Sequence, residues 1–154
     1  MSFRIRGLEP KQFRHIFSLD EGALVESGMR SMVIDAPNSA PCRVSLRDVD
    51  PGERVVLLQY AHQTAFTPYR AAGPIFVGEG ATQAFDGTDE LPPMFANRPL
   101  SVRAYDSQGM MIDADVAHSD PRKLFETFFA DGATDYIHVH LARRGCFACR
   151  VDRA

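Results

Sequence analysis

The chain has 154 residues, 45% of them hydrophobic and 11 of them Phe, which is enough apolar surface to close a core, and a single domain over residues 1–154 is expected. A formal net charge of −3 argues against a broad basic face for nucleic acid or an anionic membrane. The 17 basic residues are 15 Arg and 2 Lys, a skew that suits bidentate recognition of carboxylate or phosphate and that a biased genome composition also produces.

Taken in order, Met1 to Gly7 alternates Phe3 and Ile5 with Arg4 and Arg6, the pattern of an edge strand and not of a signal peptide. With no long apolar run, neither export nor membrane insertion is expected, and the protein is assigned to the cytoplasm. Pro10 with Phe13, Ile16 and Phe17 predicts a short helix over 9–17, and the capping-box pattern of Ser18 to Glu21 opens a second that Gly28 stops. Met32 and Ile34 begin a strand broken at Pro37. A further strand is expected from Cys42, with Cys42, Val44 and Leu46 on one face and Arg43, Ser45 and Arg47 on the other. After the turn Asp50-Pro51-Gly52-Glu53, the apolar run Val55 to Tyr60 predicts a central strand.

Residues 61–80 hold His62, Tyr69 and Arg70 beside Pro68 and Pro74, a loop fit to carry a site, leading into Ile75-Phe76-Val77. The proline-rich and acidic stretch 81–99 reads as irregular, mobile surface. Leu100 to Val116 predicts a hairpin around Ser107-Gln108-Gly109, in which Leu100, Val102 and Ala104 meet Val116, Ala114 and Ile112 while Arg103 faces Asp113. Asp120 and Pro121 start a helix with Leu124, Phe125, Phe128 and Phe129 turned inward, ended by Gly132. The order of elements predicts an α+β fold, a mainly antiparallel sheet or partly closed barrel, with two short N-terminal helices and one helix before a C-terminal β-hairpin.

That terminal hairpin, Asp135 to Asp152, holds the chemistry. Alternation places Ile137, Val139 and Leu141 on one face and Tyr136, His138 and His140 on the other. A three-residue loop Arg143-Arg144-Gly145 sets Leu141 against Phe147, Val139 against Cys149 and Ile137 against Val151, so that Cys146 and Arg150 join the histidine face. Cys146 and Cys149 then point to opposite faces, so no metal site is expected from the four His and Cys residues, although His138, His140 and Cys146 remain a three-ligand alternative. His140 with Cys146 is the one base and thiol pair that this placement supports, and His138, His140 and Cys146 are the candidate catalytic residues. Three cysteines do not make a disulfide framework, and no cofactor motif is present.

Pro41-Cys42-Arg43-Val44-Ser45-Leu46-Arg47-Asp48, the Gly52-Glu53 pair before Val55 to Tyr60, Pro68-Tyr69-Arg70 with Gly73-Pro74-Ile75-Phe76, and His138-Val139-His140 with Gly145-Cys146-Phe147 together resemble the bacterial domain of unknown function 1203 family. The resemblance implies a single-domain bacterial cytosolic protein and draws attention to Cys42, Arg43, Tyr69, Arg70, His138 and Cys146, with no activity, substrate or cofactor attached. The expected function is binding of, or action on, a small anionic molecule, with Arg43, Tyr69, Arg70 and Arg150 as ligand contacts in one cleft with the histidines. The alternative is a non-catalytic protein-interaction module or homodimer. No cofactor, nucleic acid or membrane partner is expected.

Overall fold

Alternating strands of this kind need a partner layer on each apolar face, and the chain supplies three such layers. The computed structural model describes residues 1–154. Its strands are β1 (Phe3–Arg6), β2 (Arg30–Val33), β3 (Arg54–Gln63), β4 (Ala71–Gly78), β5 (Asp86–Thr88), β6 (Pro99–Tyr105), β7 (Met111–His118), β8 (Tyr136–Leu141) and β9 (Phe147–Arg153), with helices α1 (Glu21–Glu26) and α2 (Arg122–Ala130). The strands form a six-stranded sheet in the order β5-β1-β9-β8-β6-β7 and a three-stranded sheet in the order β2-β3-β4. Named strand pairings are all antiparallel. The fold is α+β, and its sheets stay open instead of closing into a barrel.

One face of the large sheet packs on α2. Phe125, Phe128 and Phe129 fall on one side of that helix at i, i+3 and i+4 and bury against Phe3, Ile5, Val102, Ile137, Val139 and Val151. The Phe3 and Phe125 rings meet edge to face with centroids 5.1 Å apart. β1 is not an edge strand: β9 flanks it on one side and the three-residue β5 on the other, which leaves only a short edge open. A second core joins Phe13, Ile16 and Leu24 to Val55, Val56, Ile75 and Val77 of the small sheet. There the predicted helix over 9–17 is two 3₁₀ turns, Pro10–Gln12 and Arg14–Ser18. Asp20, not Ser18, caps α1 by accepting from the Ala23 N–H, and Gly28 ends it at φ 78°.

Both hairpins keep their glycine; the first loses its expected register, and the second departs from its own only next to the loop. Asp106 and Met110 close the loop Ser107-Gln108-Gly109, but an extra residue, Ile112, shifts the ladder so that Ala104 faces Asp113 and Arg103 faces Ala114. The terminal hairpin has a four-residue loop, Ala142 to Gly145, because the Leu141 N–H donates to the Cys146 carbonyl. His140 therefore faces Phe147, and a bulge at Ala148 restores Val139 to Cys149 and Ile137 to Val151. Phe147 and Cys146 thus exchange the faces expected of them: Phe147 joins the histidines and Cys146 lies on the Leu141 side.

Residues 41–48 are a tight loop and not a strand. The Leu46 N–H donates to the Cys42 carbonyl, the Cys42 N–H to the Arg47 carbonyl, and Leu46 takes φ 51°. The alternation of Cys42, Val44 and Leu46 reflects two separate cores, since Cys42 and Val44 enter the second while Leu46 enters the first. The stretch 81–99 is likewise not loose surface throughout: Met94 and Phe95 are fully buried, and the Met94 N–H donates to the Leu46 carbonyl.

Gly7 fixes this loop against β1. A Cβ on Gly7 would lie 1.9 Å from the Val44 carbonyl oxygen, and backbone is not free to yield as a side chain is. Gly7→Ala is expected to lower unfolding stability by about 1–3 kcal/mol. Chemical denaturation measures this, and a variant equal to wild type would contradict the packing.

Candidate functional site

The face of β8 that carries Tyr136, His138 and His140 does not meet solvent, because the small sheet lies across it. β3 is bulged between Tyr60 and Gln63, and Tyr60, His62 and Gln63 all reach the large sheet. The His62 ring stacks on Phe147 at 5.3 Å and meets His140 edge to face at 4.9 Å. Gln63 Nε2 donates to the Tyr136 hydroxyl at 2.8 Å. Tyr105 stacks on Tyr136 at 5.2 Å and lies 5.0 Å from His138. His138 and His140 are 3% and 1% exposed, so they are an internal layer and not the wall of a cleft.

Burial sets their protonation. It pushes His138 down to about 3, helped by the neighbouring His140 and His62. His140 falls to about 4 for the same first reason; the Gly145 carbonyl opposes the shift and Arg103 adds to it. Burial and then Arg103 also lower His62. All three imidazoles are therefore neutral near pH 7. His140 Nδ1 lies 2.8 Å from the Gly145 carbonyl, to which it donates, leaving Nε2 to face Arg103 at 3.4 Å. Nδ1 of His62 and of His138 are buried without a partner.

This layer suits neither of the chemistries that the sequence suggested. No group of three His, Cys, Asp or Glu residues is arranged to hold a metal ion, and the nearest charge to His140 is cationic. Cys146 is not paired with His140, whose two ring nitrogens address Gly145 and Arg103. The thiol instead accepts from Arg43 Nη2 at 3.1 Å.

Arg43 belongs to a different place. It is 1% exposed, held in the tight loop between the two cores, and its Nε donates to the Phe147 carbonyl at 2.6 Å and its Nη1 to the Pro41 carbonyl. No carboxylate pairs with it among the ion pairs of the fold. Burial pushes this guanidinium below its ordinary range, and proximity to Cys146 opposes that. Taking a cation out of water without an anion costs several kcal/mol.

Arg43 and Cys146 line a cleft of about 600 Å³. One wall is Leu57, Pro74 and Phe76 of the small sheet; the other is the hairpin loop with Arg143 and Arg144, together with Pro93 and Ala96 to Pro99. Arg98 braces that second wall: it makes a two-point ion pair with Asp48, both contacts at 2.7 Å, and donates to the Met94 and Asn38 carbonyls. Arg143 and Arg144 are exposed and enter no ion pair. Arginines at the tip of a hairpin, next to a cysteine, were the available signal for this site.

The other expected contacts lie elsewhere. β8 runs roughly 17 Å from Tyr136 to Leu141, and the cleft is at the Leu141 end. Tyr69 sits at the opposite end, 6.3 Å from Tyr105, in a loop tied down by Thr67 Oγ1 donating to the Gly109 carbonyl. Arg70 follows it, exposed. Arg150 lies over the Tyr136 ring at 4.1 Å and pairs with Asp152 at 2.8 Å. Tyr69, Arg70 and Arg150 therefore do not share a cleft with Arg43.

A model of the family described as Protein of unknown function (DUF1203) matches residues 39–153, a span that takes in the tight loop, α2 and strands β3 to β9 and leaves out β1 and β2. No curated protein and no solved structure matches. No helix is long and apolar enough to cross a membrane.

The histidine layer makes stability depend on pH in a definite direction. His138 and His140 bind protons in the unfolded chain near 6.5 and in the native state only near 3 and 4. The unfolded state holds more protons between those limits, so stability is complete above about pH 6.5 and declines as the pH falls toward 4. Denaturation curves should show His138→Gln shallower than wild type by roughly 1 kcal/mol per pH unit between pH 6 and 4.5. Parallel profiles would mean that His138 is protonated alike in both states.

Proposed function

The chain belongs to the DUF1203 family, and on that premise we propose that it binds a small molecule bearing carboxylate or phosphate groups in the cleft between the terminal hairpin and the small sheet. The observation that carries this reading is the burial of Arg43 with no acidic partner. Its three hydrogen bonds use three of the five N–H groups of a guanidinium, and the other two have no acceptor in the protein. Arg143 and Arg144 add unpaired charge at the rim, and planar guanidinium groups match carboxylate and phosphate two bonds at a time. Backbone atoms and Pro41 hold Arg43 in place before any ligand arrives, which lowers the ordering cost of binding.

Thermal unfolding in phosphate, sulfate, citrate or succinate, each matched to chloride at equal ionic strength, tests the reading. An anion at a hundred times its Kd should stabilise the fold by about 2.7 kcal/mol. Arg43→Met and the pair Arg143→Ala, Arg144→Ala should each lose most of that gain. Equal stabilisation of wild type and both variants, or none by any anion, would overturn it.

A second reading, an interaction module, is favoured by one feature. Phe66 is 96% exposed in the loop that packs on Gly109, and Ile112 and Val116 are 40% and 55% exposed on the edge strand β7. Sedimentation at rising protein concentration should show self-association that Phe66→Ser weakens if a second copy covers this surface. A monomer at every concentration removes the homodimer from consideration.

A further inference from the structure

We infer that Cys146 is the reacting group of the cleft and that it exchanges with a carboxylate-bearing disulfide, an inference that rests on the anion-binding reading above and names its substrate class. The three cysteines are free and differ in access. Cys42 and Cys149 are 0% and 1% exposed. Cys42 accepts from the Gly78 N–H at 3.3 Å, and burial pushes the Cys149 thiol well above its ordinary range. Cys146 alone lines the cleft and is part exposed.

The sulfur does not stand by itself. Arg43, almost wholly buried, donates to it at 3.1 Å and lines the cleft, and two of its five N–H groups have no acceptor in the protein. Exchange spreads negative charge along a line of three sulfurs, and a cation fixed before the reaction acts where that charge develops. The same guanidinium, with Arg143 and Arg144, meets the carboxylates of the ligand, so binding and attack draw on one set of charges. A neutral or cationic disulfide gains nothing from them.

The step is balanced as follows. The Cys146 thiol gives up its proton, its sulfur bonds to one sulfur of the ligand, and the ligand S–S bond breaks. The departing half leaves with the electron pair and takes up a proton, so the disulfide is the oxidant and one free thiol is released. With Cys42 and Cys149 sealed in the cores, no internal thiol resolves the adduct, and a second molecule of small thiol must release it by the reverse exchange.

The test treats the folded chain with glutathione disulfide, with neutral 2-hydroxyethyl disulfide and with cationic cystamine, each rate divided by that on the urea-unfolded chain. Intact mass and peptide mapping should place one adduct on Cys146 and none on Cys42 or Cys149. The normalised rate for glutathione disulfide should exceed that for cystamine by at least tenfold, and Arg143→Ala with Arg144→Ala should bring the ratio near one. No adduct, label on another cysteine, or equal normalised rates would overturn the inference. Cys146→Ser, carried through the anion titration, separates the two ideas. Stabilisation retained in that variant without any adduct in wild type sinks only the thiol chemistry, whereas loss of both sinks the cleft as well.

Discussion

The structure turns on a buried cation. Arg43 lies in a loop that sends Cys42 and Val44 into one core and Leu46 into the other, so the loop is the peg on which the two cores meet. Its cost is visible at Leu46, a branched residue held at φ 51°, where a left-handed backbone costs about 1–2 kcal/mol. Complete burial of the Leu46 side chain returns about 1.5–3 kcal/mol, enough to hold the turn. Gly7 and Phe85 then clamp it, through the Phe85 N–H donating to the Val44 carbonyl and the Leu8 N–H to the Arg43 carbonyl. A guanidinium fixed on both sides cannot swing out to water when no anion is present. That rigidity makes its unpaired charge informative, whereas an unpaired arginine on the surface would simply be solvated.

Two kinds of polar burial meet at the terminal hairpin and have opposite consequences. The histidines can surrender their charge, and in the layer between the sheets they do so, becoming aromatic packing to which His140 adds a hydrogen bond. Arginine keeps its charge at any ordinary pH, so Arg43 must be answered by acceptors and dipoles. Carbonyls of Pro41 and Phe147 supply the dipoles. No carboxylate of the chain pairs with Arg43. Arg103, which faces His140, is only part buried and bears no such burden.

Local signals in the sequence carried the fold a long way. Phe125, Phe128 and Phe129 marked the buried side of α2, Gly28 and Gly145 marked a helix end and a hairpin turn, and the apolar run from Val55 marked the middle strand of its sheet. The site was harder because it depends on events that pattern does not record. One extra residue in a strand changes facing without disturbing the alternation that suggests the strand: Ile112 shifts everything beyond it, and Ala148 lets Cys146 and Phe147 on its loop side exchange faces. The even spacing of Cys42, Val44 and Leu46 came from a turn that divides them between two cores. The polarity of His138 and His140 suggested solvent, and only the crossing of β3 over β8, a contact between residues some seventy positions apart, turns that face inward.

The four-residue loop and the bulge at Ala148 decide where Cys146 and Phe147 lie. With a regular ladder and a three-residue loop, Cys146 would stand beside His140, and a base and thiol pair would form inside the layer, out of reach of any ligand. The four-residue loop instead sets Cys146 opposite Leu141, at the mouth of the cleft, and places Arg143 and Arg144 on its rim. The extra residue then absorbs the change of register, so that Phe147 fills the space against His62 while Cys149 and Val151 return to the first core. It also leaves the Phe147 carbonyl as the acceptor for Arg43 Nε. The same irregularity that hid the site from the sequence thus exposes one thiol and anchors the cation beside it, and a hairpin without the bulge would supply neither.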